Sequence, residues 1–204
     1  MSGQGEGAAP GLLFILSGPS GVGKDAVMAK LWEEHFPLHF GVTATTRSSR
    51  QGEVEGVDYY FVSEDEFQRM IDAGEMLEWA EVHCRRYGVP RASVRRFLQM
   101  GEDVLMRVDV QGAATIRSKV PEAVLIFLAP PSMDSLIARL RGRGTETQEQ
   151  LATRIANAYE EMTRLSEFDY RVENPDGDLA DAVDRVKSIV KAEKCRVDPR
   201  RAVV

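Results

Sequence analysis

The chain has 204 residues, 43% of them hydrophobic and 28% charged, with a net charge of −6 at pH 7. That is material for one good-sized core, and it excludes wholesale disorder. The acidic balance argues against a protein that coats nucleic acid, whose affinity comes from neutralising phosphates, and no apolar run approaches the roughly 20 residues of a membrane span.

Residues 1–10 carry neither a basic nor an apolar stretch, so a flexible tail is expected there rather than a signal peptide. Residues 11–18 form a continuous apolar run closed by glycine, which suits a strand buried on both faces. A helix is expected over 24–35, with Val27, Met28, Leu31 and Trp32 on one face. Residues 40–47 and 58–62 have the pattern of strands, with a turn-rich segment containing Gly52 and Gly56 between them. Ser63-Glu64-Asp65-Glu66 matches a helix capping box, and Gly74 supplies the stop. A strand over 76–82 and a helix over 91–100 follow. Residues 104–110 and 123–129 are strong strand candidates with a helix over 111–120 between them. Pro130-Pro131 halts the second of these, and Ser132 is placed to cap the next helix. A polar segment over 141–150 leads into a long helix ending near Ser166, then a strand over 168–173 and an amphipathic helix over 179–194. Strands alternating with helices imply an α/β fold, a parallel sheet covered on both faces in three layers.

The first strand ends in Gly18-Pro19-Ser20-Gly21-Val22-Gly23-Lys24. This is the G-x-x-x-x-G-K of a phosphate-binding loop, in its required place between a buried strand and a helix. Glycines let successive backbone N–H groups turn toward phosphate oxygens, the helix N-terminus adds its positive end, and the lysine reaches the outer phosphates. The residue after the lysine is normally Ser or Thr, whose hydroxyl binds Mg²⁺; here it is Asp25, a carboxylate that can ligate the same ion.

The second substrate is written in the segment that breaks the strand–helix alternation. Thr43-Ala44-Thr45-Thr46-Arg47-Ser48-Ser49-Arg50-Gln51-Gly52-Glu53 and Gly56-Val57-Asp58-Tyr59, together with the phosphate loop, closely resemble the guanylate kinase family. The resemblance continues through Glu78-Trp79-Ala80, Tyr87-Gly88, Asp109-Val110-Gln111-Gly112, Ala129-Pro130-Pro131-Ser132 and residues 142–147, and spans about residues 11–194. It implies a single domain over 11–204: a P-loop kinase core (11–41, 98–136 and 168–194), a small β-rich GMP-binding insertion (42–97), a helical lid (137–160) and a C-terminal tail (195–204). The implied reaction transfers the ATP γ-phosphoryl group to GMP, and use of dGMP goes with it, in the presence of Mg²⁺. The resemblance assigns Gly18, Pro19, Ser20, Gly21, Val22, Gly23, Lys24, Asp25 and Asn174 to ATP. It assigns Thr43, Arg47, Arg50, Tyr59, Glu78, Tyr87 and Asp109 to GMP. It gives Lys24, Arg47, Arg139, Arg143 and Arg154 to catalysis; Asp25, where the family has Ser or Thr, is expected to hold Mg²⁺ through its own carboxylate.

The chemistry agrees with those assignments. Two guanidinium forks and two phenols suit a phosphate dianion. A carboxylate at Glu78 can accept from both N1–H and N2–H₂ of guanine, a donor pair that adenine lacks. Lid arginines would stabilise charge on the moving phosphoryl group while closure excludes water. Of the basic residues 20 are Arg and 6 Lys; some of the arginines are expected to converge on this cleft, while the rest follow genome composition. Cys84 and Cys195 lie far apart, which fits a reduced, cytoplasmic protein, and with three scattered histidines they build no zinc site.

Three positions depart from the family pattern: Asp25, Val89 in place of a hydroxyl residue, and Arg107 where an acid is usual. Asp25 and Arg107 are opposite in sign, so a charge swap is expected, with the two side chains paired. Two alternatives to an active GMP kinase stand beside it: a non-catalytic peptide-binding domain of guanylate-kinase-like fold, and a related kinase with another acceptor such as a ribose bisphosphate. Oligomeric state, monomer or homodimer, is not legible.

Overall fold

The apolar run after Gly11 forms β1 (Leu13–Ser17), every residue of which is buried. The computed structural model describes residues 11–50, 52–57, 59–82, 85–142 and 147–204; the expected N-terminal tail, Cys84 and Arg143 lie outside them. In a five-stranded parallel sheet, β1 takes the centre. Around it lie β2 (His39–Phe40), β7 (Val104–Arg107), β8 (Val124–Ala129) and β9 (Tyr170–Glu173), in the order β2-β7-β1-β8-β9.

Alternation along β1 builds the two outer layers. Phe14 and Leu16 pack with Val27 and Leu31 of α1 (Lys24–Glu33), Leu136 and Leu140 of α5 (Met133–Arg141), and Val183 and Val186 of α7 (Leu179–Glu193). Leu13 and Ile15 face the other way, onto Val94 and Leu98 of α3 (Arg91–Gln99) and Ala113 and Ile116 of α4 (Val110–Lys119). Both faces of the sheet are therefore covered, the three-layer α/β arrangement expected of a parallel sheet.

A second, mixed sheet carries the insertion. It comprises β3 (Thr43–Thr45), β4 (Tyr59–Phe61), β5 (Met76–Val82) and β6 (Arg85–Pro90), in the order β4-β3-β6-β5. Helix α2 (Glu64–Asp72) lies against it, and Phe67, Ala44 and Met76 form a small core of their own. The long helix α6 (Gln148–Thr163) starts at a capping box made by Thr147 and Gln150, then gives way to a short 3₁₀ turn at Arg164–Glu167.

Three local expectations are corrected, and one strand that was not expected is added. Residues 40–47 are not one strand: Phe40 pairs with Leu105 in the large sheet, whereas Thr43–Thr45 pair in the small one, so the chain changes sheets between them. Residues 85–90, which carry no apolar alternation, form the strand β6 between β3 and β5. Only half of the expected capping box forms on α2. Ser63 accepts from the Glu66 N–H, but the Glu66 carboxylate is bound by Arg69. Trp32 does not join the buried face of α1; it is 62% exposed and lies edge-on to Phe40.

Candidate functional site

The phosphate loop runs from the C-terminal end of β1 into α1, at the crevice where open α/β sheets hold ligands. Gly23 is the N-cap of α1 with φ +105, and a Cβ there would lie 2.5 Å from Asn174 Nδ2. Both conditions demand glycine. Asn174, nearly fully buried, donates its amide to the Val22 carbonyl at 2.7 Å. Arg139 donates to the same carbonyl and to that of Asn174, and is anchored by Asp176 at 2.7 Å. These two residues fasten the loop from its protein side and also line a small hollow of about 330 Å³ with Ala26 and Pro175. Lys24 Nζ donates to the carbonyls of Gly18 and Pro19. Ser20 offers its N–H to Glu161 at 3.1 Å, while its hydroxyl accepts from Arg154 at 2.9 Å. Residues from Ser20 to Ala26 line an open hollow of about 340 Å³.

One cavity of about 850 Å³ joins this loop to the insertion. Ser20, Lys24 and Asp25 line one side; Thr43, Arg47, Arg50, Tyr59, Glu78, Tyr87 and Asp109 line the other. Every acceptor residue expected from the sequence therefore meets in a single space that opens on the phosphate loop. Arg47 is held bidentately by Glu53, both bonds 2.8 Å, and lies over the Tyr59 ring. Glu53 also accepts from the Arg50 N–H at 2.7 Å. The Arg47 bonds first, and the Arg50 N–H second, pull the Glu53 carboxyl down to about 2, and Glu53 in turn raises the Arg47 guanidinium.

Glu78 has the opposite environment. It is 9% exposed, and burial first, then the neighbouring Asp109 charge, push its carboxyl up to about 7; Lys119 pulls the other way. Asp109 caps α4, accepting from the Gly112 N–H at 2.7 Å. Val89 is buried beside them and brings no hydroxyl. At the mouth of the phosphate loop Arg107 and Asp25 form the expected ion pair. Register explains it: Leu16 of β1 lies beside Arg107 of β7, so the end of β7 flanks the start of the loop. Burial lowers the Arg107 pKa below the ordinary arginine value.

Three residues that now carry weight had no expected role. Glu53 was part of a motif but without a function. Glu161 follows Arg154 by seven positions, two helical turns on the same face of α6, a spacing that would have linked them. Burial raises its carboxyl, while the Ser20 N–H and Lys24 lower it. Lys119 stands at the far end of α4 from Asp109, with no motif to mark it.

A phosphate loop at the end of the central strand of this sheet, facing a cationic acceptor cavity across one cleft, defines a P-loop kinase. A family model described as guanylate kinase matches residues 11–193. Guanylate kinase 2, chloroplastic/mitochondrial, of Oryza sativa subsp. japonica is 48% identical over 190 residues, 93% of this chain and 67% of that protein. The guanylate kinase of Caldanaerobacter subterraneus subsp. tengcongensis is 46% identical over 92% of this chain and 90% of its own length. Among solved structures, guanylate kinase from Anaplasma phagocytophilum superposes with a TM-score of 0.72 at 34% identity, covering 96% of this chain and 91% of that one. The chain belongs to the guanylate kinase family. It is thus a nucleotide-binding transferase, and among the described residues no helix is long and apolar enough to cross a membrane.

Proposed function

We propose that the protein phosphorylates GMP, and dGMP with it, from ATP, giving ADP and the nucleoside diphosphate, in the cytoplasm. The observation that carries this reading is the shared cavity, in which a buried carboxylate, two arginines and two tyrosines face Lys24 with no wall between. On this reading the ATP triphosphate lies along residues 18–25, with Lys24 exchanging its carbonyl partners for phosphate oxygens. Arg47, Arg50, Tyr59 and Tyr87 bind the GMP phosphate and aim an oxygen at the γ-phosphorus. Glu78 accepts from guanine N1–H and N2–H₂, with Asp109 beside it and Thr43 across the pocket. Arg139 steadies the loop next to the adenine end with Asn174, while Arg154 and Arg143 supply cations to the transferring group.

Magnesium suits the donor set. Mg²⁺ takes oxygen ligands, commonly one or two carboxylates completed by substrate phosphates and water. The Asp25 side chain is 71% exposed and follows Lys24 directly. It would hold the ion, which supplies charge neutralisation on the phosphates. Arg107 fixes the carboxylate's orientation and offsets the extra negative charge that a Ser or Thr would not bring.

The test is ADP release with ATP, Mg²⁺ and a panel of nucleoside monophosphates. GMP should be preferred over AMP by at least about 100-fold in kcat/KM, because a site built to accept two donors leaves its carboxylate unpaired against adenine. Absence of turnover with GMP overturns the reading.

A further inference from the structure

Strand β5 is irregular where it matters. Met76 pairs with Pro90 but Glu78 pairs with Val89, so Leu77 is an extra residue, a bulge placed one position before Glu78. Bulges re-aim the side chains beside them and disturb the ladder locally. The carbonyls at this bulge receive an outside donor: Lys119 Nζ donates to Leu77 O at 2.7 Å and reaches Met76 O at 3.5 Å. The Leu77 side chain is fully buried. The bulge is thus pinned on one side by apolar packing and on the other by an ammonium.

The same helix that carries Lys119 makes room for the carboxylate. A Cβ at Gly112, in the first turn of α4, would lie 3.0 Å from Glu78 Oε1. Helix α4 therefore meets β5 at both ends. Its first turn borders the Glu78 carboxylate, and its last turn, the negative end of its dipole, places a cation on the backbone just before Glu78.

We propose that Lys119 is a positioning residue for guanine recognition, seating the β5 bulge so that Glu78 is aimed into the acceptor cavity. This rests on the reading of Glu78 as the guanine acceptor. Lys119 also acts through its charge. The groups facing Glu78 are Asp109 at the α4 N-cap, which disfavours the ionised carboxylate, and Lys119, which favours it; Arg91 of α3 faces Lys119 in turn. Guanine's donors need the ionised form, so removing the Lys119 cation moves the carboxylate midpoint upward and leaves less of that form at pH 7.

The experiment measures kcat and the KM values of GMP and ATP for the full chain between pH 6 and pH 9, in Lys119→Met, Lys119→Gln and Lys119→Arg. Lys119→Met should raise the GMP KM about fivefold at pH 7, the fall in the ionised fraction when a midpoint near 7 moves up by about one pKa unit, with the ATP KM unchanged. The pH below which the GMP KM climbs should move upward in both uncharged variants and return in Lys119→Arg. In a Glu78→Gln background, Lys119→Gln should no longer shift that pH. An unchanged GMP KM in the Met and Gln variants overturns the proposal. So does an equal loss for both substrates with the pH midpoint unmoved, which marks a purely structural lysine. Failure of the underlying reading is separate: Glu78→Gln alone would then leave the GMP KM unaltered.

Discussion

At the donor end of the cleft Lys24 donates to backbone carbonyls of the loop it serves, whereas at the acceptor end Arg47 is gripped by a full carboxylate, Glu53. Carbonyls carry partial charges that are fixed by the fold and hold no full charge of their own, although Glu161 lies near enough for Lys24 to lower the pKa of its carboxyl. A carboxylate is a side chain with a charge of its own, and a phosphate arriving at Arg47 must compete with it. Recognition at the first site is mainly a matter of backbone shape; at the second it is a matter of balancing side-chain charges. The difference follows from where each lies: the phosphate loop is built on a buried strand of the large sheet, whereas Arg47 and Glu53 lie in the loop between β3 and β4 of the small one.

The most damaging change to this contrast is Lys24→Met. Its cation is the donor end's mobile charge, so turnover should fall at least about 100-fold, the scale of losing a single transition-state donor. The thermal midpoint should stay close to that of the parent, as a carbonyl-bound lysine is easily replaced. A variant that only raised KM would place the decisive charge elsewhere.

Glu78→Gln probes the acceptor end, and its effect on the free protein depends on pH. The Glu78 carboxyl titrates near 7 in the folded chain against an ordinary value of 4.5. Between those values the folded state binds more protons than the unfolded state, so stability falls as pH rises from 4.5 through 7. Above 7 the buried charge costs on the order of 3 kcal/mol. Glu78→Gln should therefore raise the melting temperature at pH 8, with the gain more than halved by pH 5.5. Equal melting temperatures at pH 8 would mean the carboxylate is not strained by its pocket. The smallest effect belongs to Thr147→Ala, which removes the cap of the helix bearing Arg154 and Glu161; chemical denaturation should show a loss of about 1 kcal/mol, with the GMP KM unmoved.

How much of this was legible in the sequence tracks the same contrast. The donor loop is contiguous, seated between a buried run and a helix, and could be placed residue by residue. The fold class followed from the alternation of buried strands with helices such as α4 and α7. The acceptor residues were recoverable only as a family resemblance, because Arg47, Glu78 and Tyr87 lie on three segments that meet through pairing of β3, β5 and β6. Local pattern passed over that region: Arg85-Arg86-Tyr87-Gly88-Val89-Pro90 has no strand periodicity and gains its place from its two neighbours. Gly88 there is demanded by contact, since a Cβ would come within 2.8 Å of Trp79 Cβ. Likewise Asp25 and Arg107 are 82 residues apart, and only the parallel register of β1 and β7 turns two departures into one pair.

Glu53 has a thermodynamic consequence. With its carboxylate already on Arg47 and on the Arg50 N–H, the acceptor pocket behaves as an ion exchanger at rest rather than as a bare cationic hole. On the proposed reading GMP affinity is then in part a difference between two anions for Arg47. Added salt weakens the outgoing contact along with the incoming one, so the binding constant should respond to ionic strength far less than two guanidiniums facing a phosphate dianion would suggest.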